Sequence, residues 1–217
     1  NFIRLIVFEC TRAFFVWPAR FNGTARYYQK LTWVSTKFAF FADVAMILFG
    51  GGLKLRERIT ARFGDVLSWM YLSTAVLRRF EADGCPDEDR PFVEWSIQYA
   101  LYQIQEAFQG LFQNMGWLFW LPGWVSRMNT LGAYPKDSLS SKVARSIQVP
   151  GSHRDRLTAG MYISSDKEDV LGRIEHAFSV IYGVRSLYHK VRVAVKKRVI
   201  EKAAMRTMIH AAVDAQV

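Results

Sequence analysis

FAFFADVAMILFGGGLKLRERITARFGDVLSWMYLSTAVLRRF, residues 38–80, is the stretch whose reading decides the fold. Around its first half, Tyr27, Leu31, Val34, Phe38, Phe41, Ala45 and Leu48 recur in alternating steps of four and three. That is the spacing of an apolar seam on a packed helix. Trp33, Phe40, Val44 and Ile47 add a second stripe, which makes the C-terminal half of this helix apolar nearly all round. Beyond the glycines, Ile59, Phe63, Val66, Met70, Thr74 and Leu77 form another seam, flanked by Leu67 and Tyr71. Gly50, Gly51 and Gly52 hold helix poorly and take positive φ readily, so they predict a reversal. The expected fold is all-α: a helical bundle centred on a long antiparallel helical hairpin, with shorter C-terminal helices.

Working outward, Phe2 to Val16 reads as a helix closed by Trp17-Pro18, and Thr24 is placed to cap the long helix that follows. That helix is expected to reach Phe49 and its partner to run from Leu53 to Ala82. Asp83-Gly84-Cys85-Pro86 is a turn cluster. The next helix starts near Asp89, with Pro91 in its first turn and Val93, Ile97, Leu101, Ile104, Phe108, Leu111 and Met115 on one face. Gln98, Gln103, Gln105, Gln109 and Gln113 make its other side polar without charge, a face for solvent or for another subunit. From Pro135 the elements shorten. Asp137 opens a helix that ends at Pro150-Gly151, and Ser165 with Glu168 forms a capping box for Val170 to Tyr182. The tail carries Arg185, Lys190, Arg192, Lys196, Lys197, Arg198, Lys202 and Arg206 against Glu201 and Asp214. Leu187, Val191, Val195 and Val199 interrupt that charge at helical spacing. The organisation expected is a long-helix bundle over 1–134 and a short-helix basic part over 135–217 of the same domain.

A chain of 217 residues that is 51% hydrophobic and 15% aromatic can bury a sizeable core. Its net charge of +10 favours an anionic partner (lipid headgroups, nucleic acid, a phosphorylated ligand, an acidic protein surface) or simply a solvated helical face. Cys10 and Cys85 stand in unlike contexts and make no disulfide framework, which suits a reducing, cytoplasmic compartment. The sequence opens at Asn1 in mid-pattern and reads as a cut through a longer protein. Its longest apolar run, Phe38 to Leu53, is broken by Asp43 and falls short of the roughly 18 residues of a spanning helix. No transmembrane segment is expected.

The chemistry-bearing candidates are few. Asp43 sits among Phe40, Phe41, Val44 and Met46 and would need a partner if buried. Antiparallel pairing about Gly51 brings Arg58 or Arg62 within its reach, and Asp65 joins through a neighbouring arginine; the expectation is a structural ion pair fixing register. Trp117, Phe119, Trp120 and Trp124, split by Pro122-Gly123, either fill a gap beneath a loop or a neighbouring domain, or rest in a lipid headgroup layer. His153, His176, His189 and His210 are scattered and make no metal-ligand spacing. No nucleophile elbow, dinucleotide fingerprint or Walker lysine is present. The basic tail lacks a nucleic-acid recognition signature, and no nucleic-acid partner is expected.

Beside these residues stands a resemblance. YYQKLTWVSTKFAFFADVAMILFGGGLKLRERITARFGDVLSWMYLSTAVLRRFEADG (27–84), DRPFVEWSIQYALYQIQEAF (89–108), YPKDSLSSKVARSIQVPGSHRDRLTAGMY (134–162) and LGRIEHAF (171–178) resemble, in order and spacing, the C-terminal domain of bacterial long-chain acyl-CoA dehydrogenases of the FadE type. The resemblance implies a full-length enzyme that uses FAD to oxidise fatty acyl-CoA to trans-2-enoyl-CoA in β-oxidation. A glutamate removes the α proton and a β hydride passes to the flavin. It also implies that flavin and base lie upstream, so no catalytic, cofactor-binding or metal residue is assigned in this chain, Glu106 included. The segment would serve assembly or membrane positioning, with the upstream domains of the same chain, a homo-oligomer and the anionic inner face of the membrane as partners. The alternative from another class is a free-standing helical interaction module that binds a membrane surface or nucleic acid.

Overall fold

The computed structural model describes residues 2–17, 23–164 and 166–215. Among them the chain is helical throughout, without strand. The helices are α1 (Phe2–Thr11), α2 (Ala25–Phe49), α3 (Glu57–Ala82), α4 (Arg90–Asn114), α5 (Trp120–Met128), α6 (Asp137–Ile147), α7 (Ser152–Thr158), α8 (Val170–Lys196) and α9 (Met205–Asp214). Two compact units are formed, Asn1–Ala144 and Arg145–Val217.

In the first unit the core sits on α4. Its expected seam of Val93, Ile97, Leu101, Ile104, Phe108 and Leu111 is buried, and α3 packs along it more extensively than along α2. Phe38 of α2 meets Phe63 of α3 edge-on at 5.8 Å, and the Tyr28 hydroxyl donates to Glu81 at 3.3 Å. Phe41 closes the core against Phe112 and Phe119, with ring centroids 4.7 and 6.1 Å away. Several boundaries differ from those the sequence suggests. α1 stops at Thr11, because Arg12 and Ala13 take positive φ (50° and 54°), a left-handed step that ends a helix. Gly50, at φ 48°, caps α2 with its N–H on the Met46 carbonyl, and Gly50–Leu55 then continues as a 3-10 turn before α3 starts at Glu57. Thr24 heads α2 without capping it, since its hydroxyl donates instead to Glu81 at 2.7 Å.

The glycines therefore redirect the helical run without ending it outright. By length and composition alone, Ala25–Leu55 is apolar enough to cross a membrane, with a mean hydropathy of 1.7 over its most apolar window. Its first half is built into the core through Trp33, Val34 and Phe41, whereas Met46, Ile47 and Leu48 near its end are exposed.

In the second unit α8 runs unbroken through Gly183 to Lys196, past the expected end at Tyr182. Its N-cap is Asp169, whose carboxylate accepts from the Gly172 N–H at 3.4 Å; Ser165, expected to cap it, lies outside the described residues. α9 packs on the end of α8 through Val191, Ala194, Ile200 and Ala212.

Candidate functional site

The most organised polar constellation is buried in the first unit and centres on Lys37. This side chain is only 2% exposed, although it sits one residue before Phe38 on the apolar seam of α2. Its ammonium lies 3.0 Å from the Glu9 carboxylate of α1 and donates to the Ser126 hydroxyl of α5 at 3.3 Å. It also lies 5.4 Å from the centre of the Phe108 ring and 5.7 Å from that of Phe112, near enough for cation–π attraction. Glu9 accepts from Trp33 Nε1 at 3.2 Å, and Asn129 Nδ2 donates to both its carbonyl (2.6 Å) and its carboxylate (3.1 Å). Gln105 of α4 completes the set. Its amide donates to the Ser126 carbonyl at 2.8 Å, and its oxygen accepts from the Leu131 N–H at 3.2 Å.

Desolvation drives the Lys37 pKa down, while the Glu9 charge and hydrogen bond pull it back up. The donors and acceptors pair across α1, α2, α4 and α5, with only the Asn129 Oδ1 of the set buried without a partner, so the arrangement locks helix positions. A reactive lysine would need a way in for substrate, and Lys37 is enclosed. The geometry fits a structural clamp.

The ion-pair group expected around Asp43 is not assembled among the described residues. Asp43, Arg58 and Asp65 are exposed, and Arg62 donates to the Arg58 carbonyl at 3.2 Å. Asp43 points away from the core, where water solvates its carboxylate. The tryptophan segment divides. Phe119 is 4% exposed and stacks on Phe112, whereas Trp117 (78%), Trp120 and Trp124 are exposed. Phe119 also meets Phe41, which anchors the tryptophan segment on α2.

Two adjoining clefts run along α4. One, of about 500 Å³, is lined by Tyr102, Gln105, Glu106 and Tyr134 among others; the next, of about 310 Å³, reaches Trp120 and Trp124. Both share Gln109, Gln113 and Arg127, and Arg127 Nε donates to Gln109 at 3.1 Å. The glutamine face is thus partly a cleft wall, with Gln105 buried at its inner edge.

No group of His, Cys, Asp and Glu fit to hold a metal ion occurs among the described residues. Gly50–Gly52 form an exposed helical turn with open space around each Cα, not the strand-to-helix loop that cradles a dinucleotide phosphate.

The described residues thus form an all-α domain held together by a buried polar clamp. Residues 1–217 match the family described as acyl-CoA dehydrogenase, C-terminal, bacterial type, and the chain belongs to that family. It is therefore the C-terminal domain of an oxidoreductase class whose members are flavoproteins, joined to the upstream domains of the same polypeptide. No solved structure matches the chain.

Proposed function

We propose that this domain supports assembly and positioning in an FAD-dependent enzyme that oxidises fatty acyl-CoA to trans-2-enoyl-CoA, with flavin and base supplied by the upstream domains. The observation that carries this reading is the family match over residues 1–217, joined to a site that holds helices together and carries no reactive group open to a substrate. On the same reading the protein is a homo-oligomer of the fatty-acid β-oxidation machinery. The test is a truncation of the full-length enzyme that removes this domain. Flavin content should persist while subunit assembly fails; a truncated enzyme of unchanged oligomeric state would overturn the assembly role.

A second role is favoured by one specific feature. Trp117, Trp120 and Trp124 stand out from the surface together with Leu118 and Leu121, and indole partitions into the headgroup layer of a bilayer. Peripheral contact with an anionic membrane would keep the enzyme near apolar substrates at the cytoplasmic face. Flotation with anionic vesicles checks it: loss of binding on replacing the three indoles by alanine is expected, and flotation of the triple variant equal to wild type would remove this role.

A further inference from the structure

The tail is not merely basic; its charge is gathered around a cavity. Between the C-terminal turns of α8 and the start of α9 lies a cleft of about 620 Å³, lined by Tyr188, His189, Arg192, Lys196, Lys202 and Met208 among others. Tyr188, Arg192 and Lys196 follow one another at a spacing of four on α8, so all three project from one face. Arg192 lies over the Tyr188 ring at 5.6 Å, which fixes its guanidinium at the rim. Lys202, from the connection between the helices, brings a third cation to the same space. No carboxylate lines the cleft, and none of these cations forms an ion pair with a carboxylate among the described residues.

Like charges stacked one helical turn apart repel each other, and here no acidic side chain offsets them. An anion seated between them would. The remaining lining is apolar: Val193, Val195, Met205 and Met208 floor the cleft, and methionine adapts its shape to a bound group. A bare inorganic ion would leave that floor wet. A ligand with a charged end and an apolar or aromatic body would cover it. Size agrees, since small-molecule sites typically enclose about 300–1,000 Å³.

We infer that the α8–α9 cleft binds an organic phosphate, its phosphate held by Arg192, Lys196 and Lys202 and its apolar body laid on Val193, Met205 and Met208. Such a group arrives either as a soluble phosphate ester or diphosphate, or as the headgroup of an anionic lipid. The site belongs to the second unit.

The test uses the whole chain at low salt with two probes, ADP by calorimetry and phosphatidylglycerol vesicles by flotation. Arg192→Gln with Lys196→Gln is compared with Arg173→Gln with Arg185→Gln, which removes the same charge from elsewhere on α8. All four side chains are exposed, so both variants should keep wild-type circular dichroism. Two charge-assisted contacts are lost in the first variant, and binding of the active probe should weaken about tenfold or more, against less than about twofold in the second. Added salt should weaken binding, as the screening length shortens from ~10 Å at 0.1 M to ~3 Å at 1 M. A cleft-dependent ADP signal marks a soluble ligand, and a cleft-dependent vesicle signal marks a lipid; either supports the site. Binding of neither probe, or equal losses in the two variants, would overturn it.

Discussion

Replacing Glu9 by glutamine strands a positive charge inside the first unit. Lys37 is 2% exposed, and Glu9 is the carboxylate paired with it, at 3.0 Å. Removing one partner of a buried pair costs about 3–5 kcal/mol. An independent bound agrees, because the lysine can escape by losing its proton. From an ordinary value near 10.4, neutralising it at pH 7 costs about 1.36 kcal/mol for each of roughly 3.4 units, or about 5 kcal/mol at most. Glutamine adds an amide donor facing that of Asn129, which offers no relief. The folded variant then binds one proton fewer than its unfolded chain, so its stability rises with pH by up to about 1.4 kcal/mol per unit, until the unfolded lysine titrates. The wild type should gain less between pH 7 and 9, since the Glu9 charge and hydrogen bond offset part of the desolvation that lowers the Lys37 value. Urea unfolding at the two pH values measures both quantities. Lys37→Met should cost less, about 1–3 kcal/mol, because Glu9 is 16% accessible and keeps its bonds from Trp33 and Asn129. A Glu9→Gln loss below about 1 kcal/mol, or a pH profile parallel to wild type, would refute the clamp.

Other substitutions separate inward from outward positions. Phe119→Ala should cost about 3–5 kcal/mol in the same unfolding assay, while Trp117→Ala stays within about 0.5 kcal/mol. Asp43→Asn should also change stability by less than about 0.5 kcal/mol, since its carboxylate is exposed. Gly132→Ala should destabilise by about 1–3 kcal/mol, because a new Cβ would stand 2.7 Å from that of Leu101 and close to its backbone. In the second unit, Arg154 forms a two-pronged pair with Glu175, one arm at 2.8 Å, and holds its carboxyl below the usual range. The stabilisation is present above the unfolded carboxyl value and fades as pH falls through the lowered folded one. Carbon-detected titration should show a depressed Glu175 midpoint that returns to the ordinary range in Arg154→Gln.

Much of this architecture was legible in the residues. The seam of α4 from Val93 to Leu111 repeats at helical spacing and is buried as read, because a regular apolar stripe has one way to hide. The all-α class follows from several such stripes. The ends of elements were less legible: α8 passes through Gly183, and the glycine run stays helical, because propensity costs of about 1 kcal/mol per glycine yield to context. Polar residues misled most. Asp43 reads as buried because its neighbours in sequence are apolar, yet that side of α2 is open to solvent. Lys37, flanked by Thr36 and Phe38, gives the opposite impression and is enclosed. One signal did point to it. A lysine three residues after Val34 and four before Phe41 falls within the seam itself. Its partner Glu9 sits on a different helix, and only the fold brings the two together. Gln105 was hidden the same way, grouped with glutamines that face outward.

The most direct measurement is the visible absorption spectrum of the purified 217-residue chain beside that of the full-length enzyme, both prepared with excess FAD. A colourless domain and a yellow full-length protein are expected if flavin is held by the upstream domains, as proposed, and Gly50–Gly52 form an exposed turn in place of a dinucleotide loop. Stoichiometric flavin on the isolated domain would contradict the division of labour proposed for it.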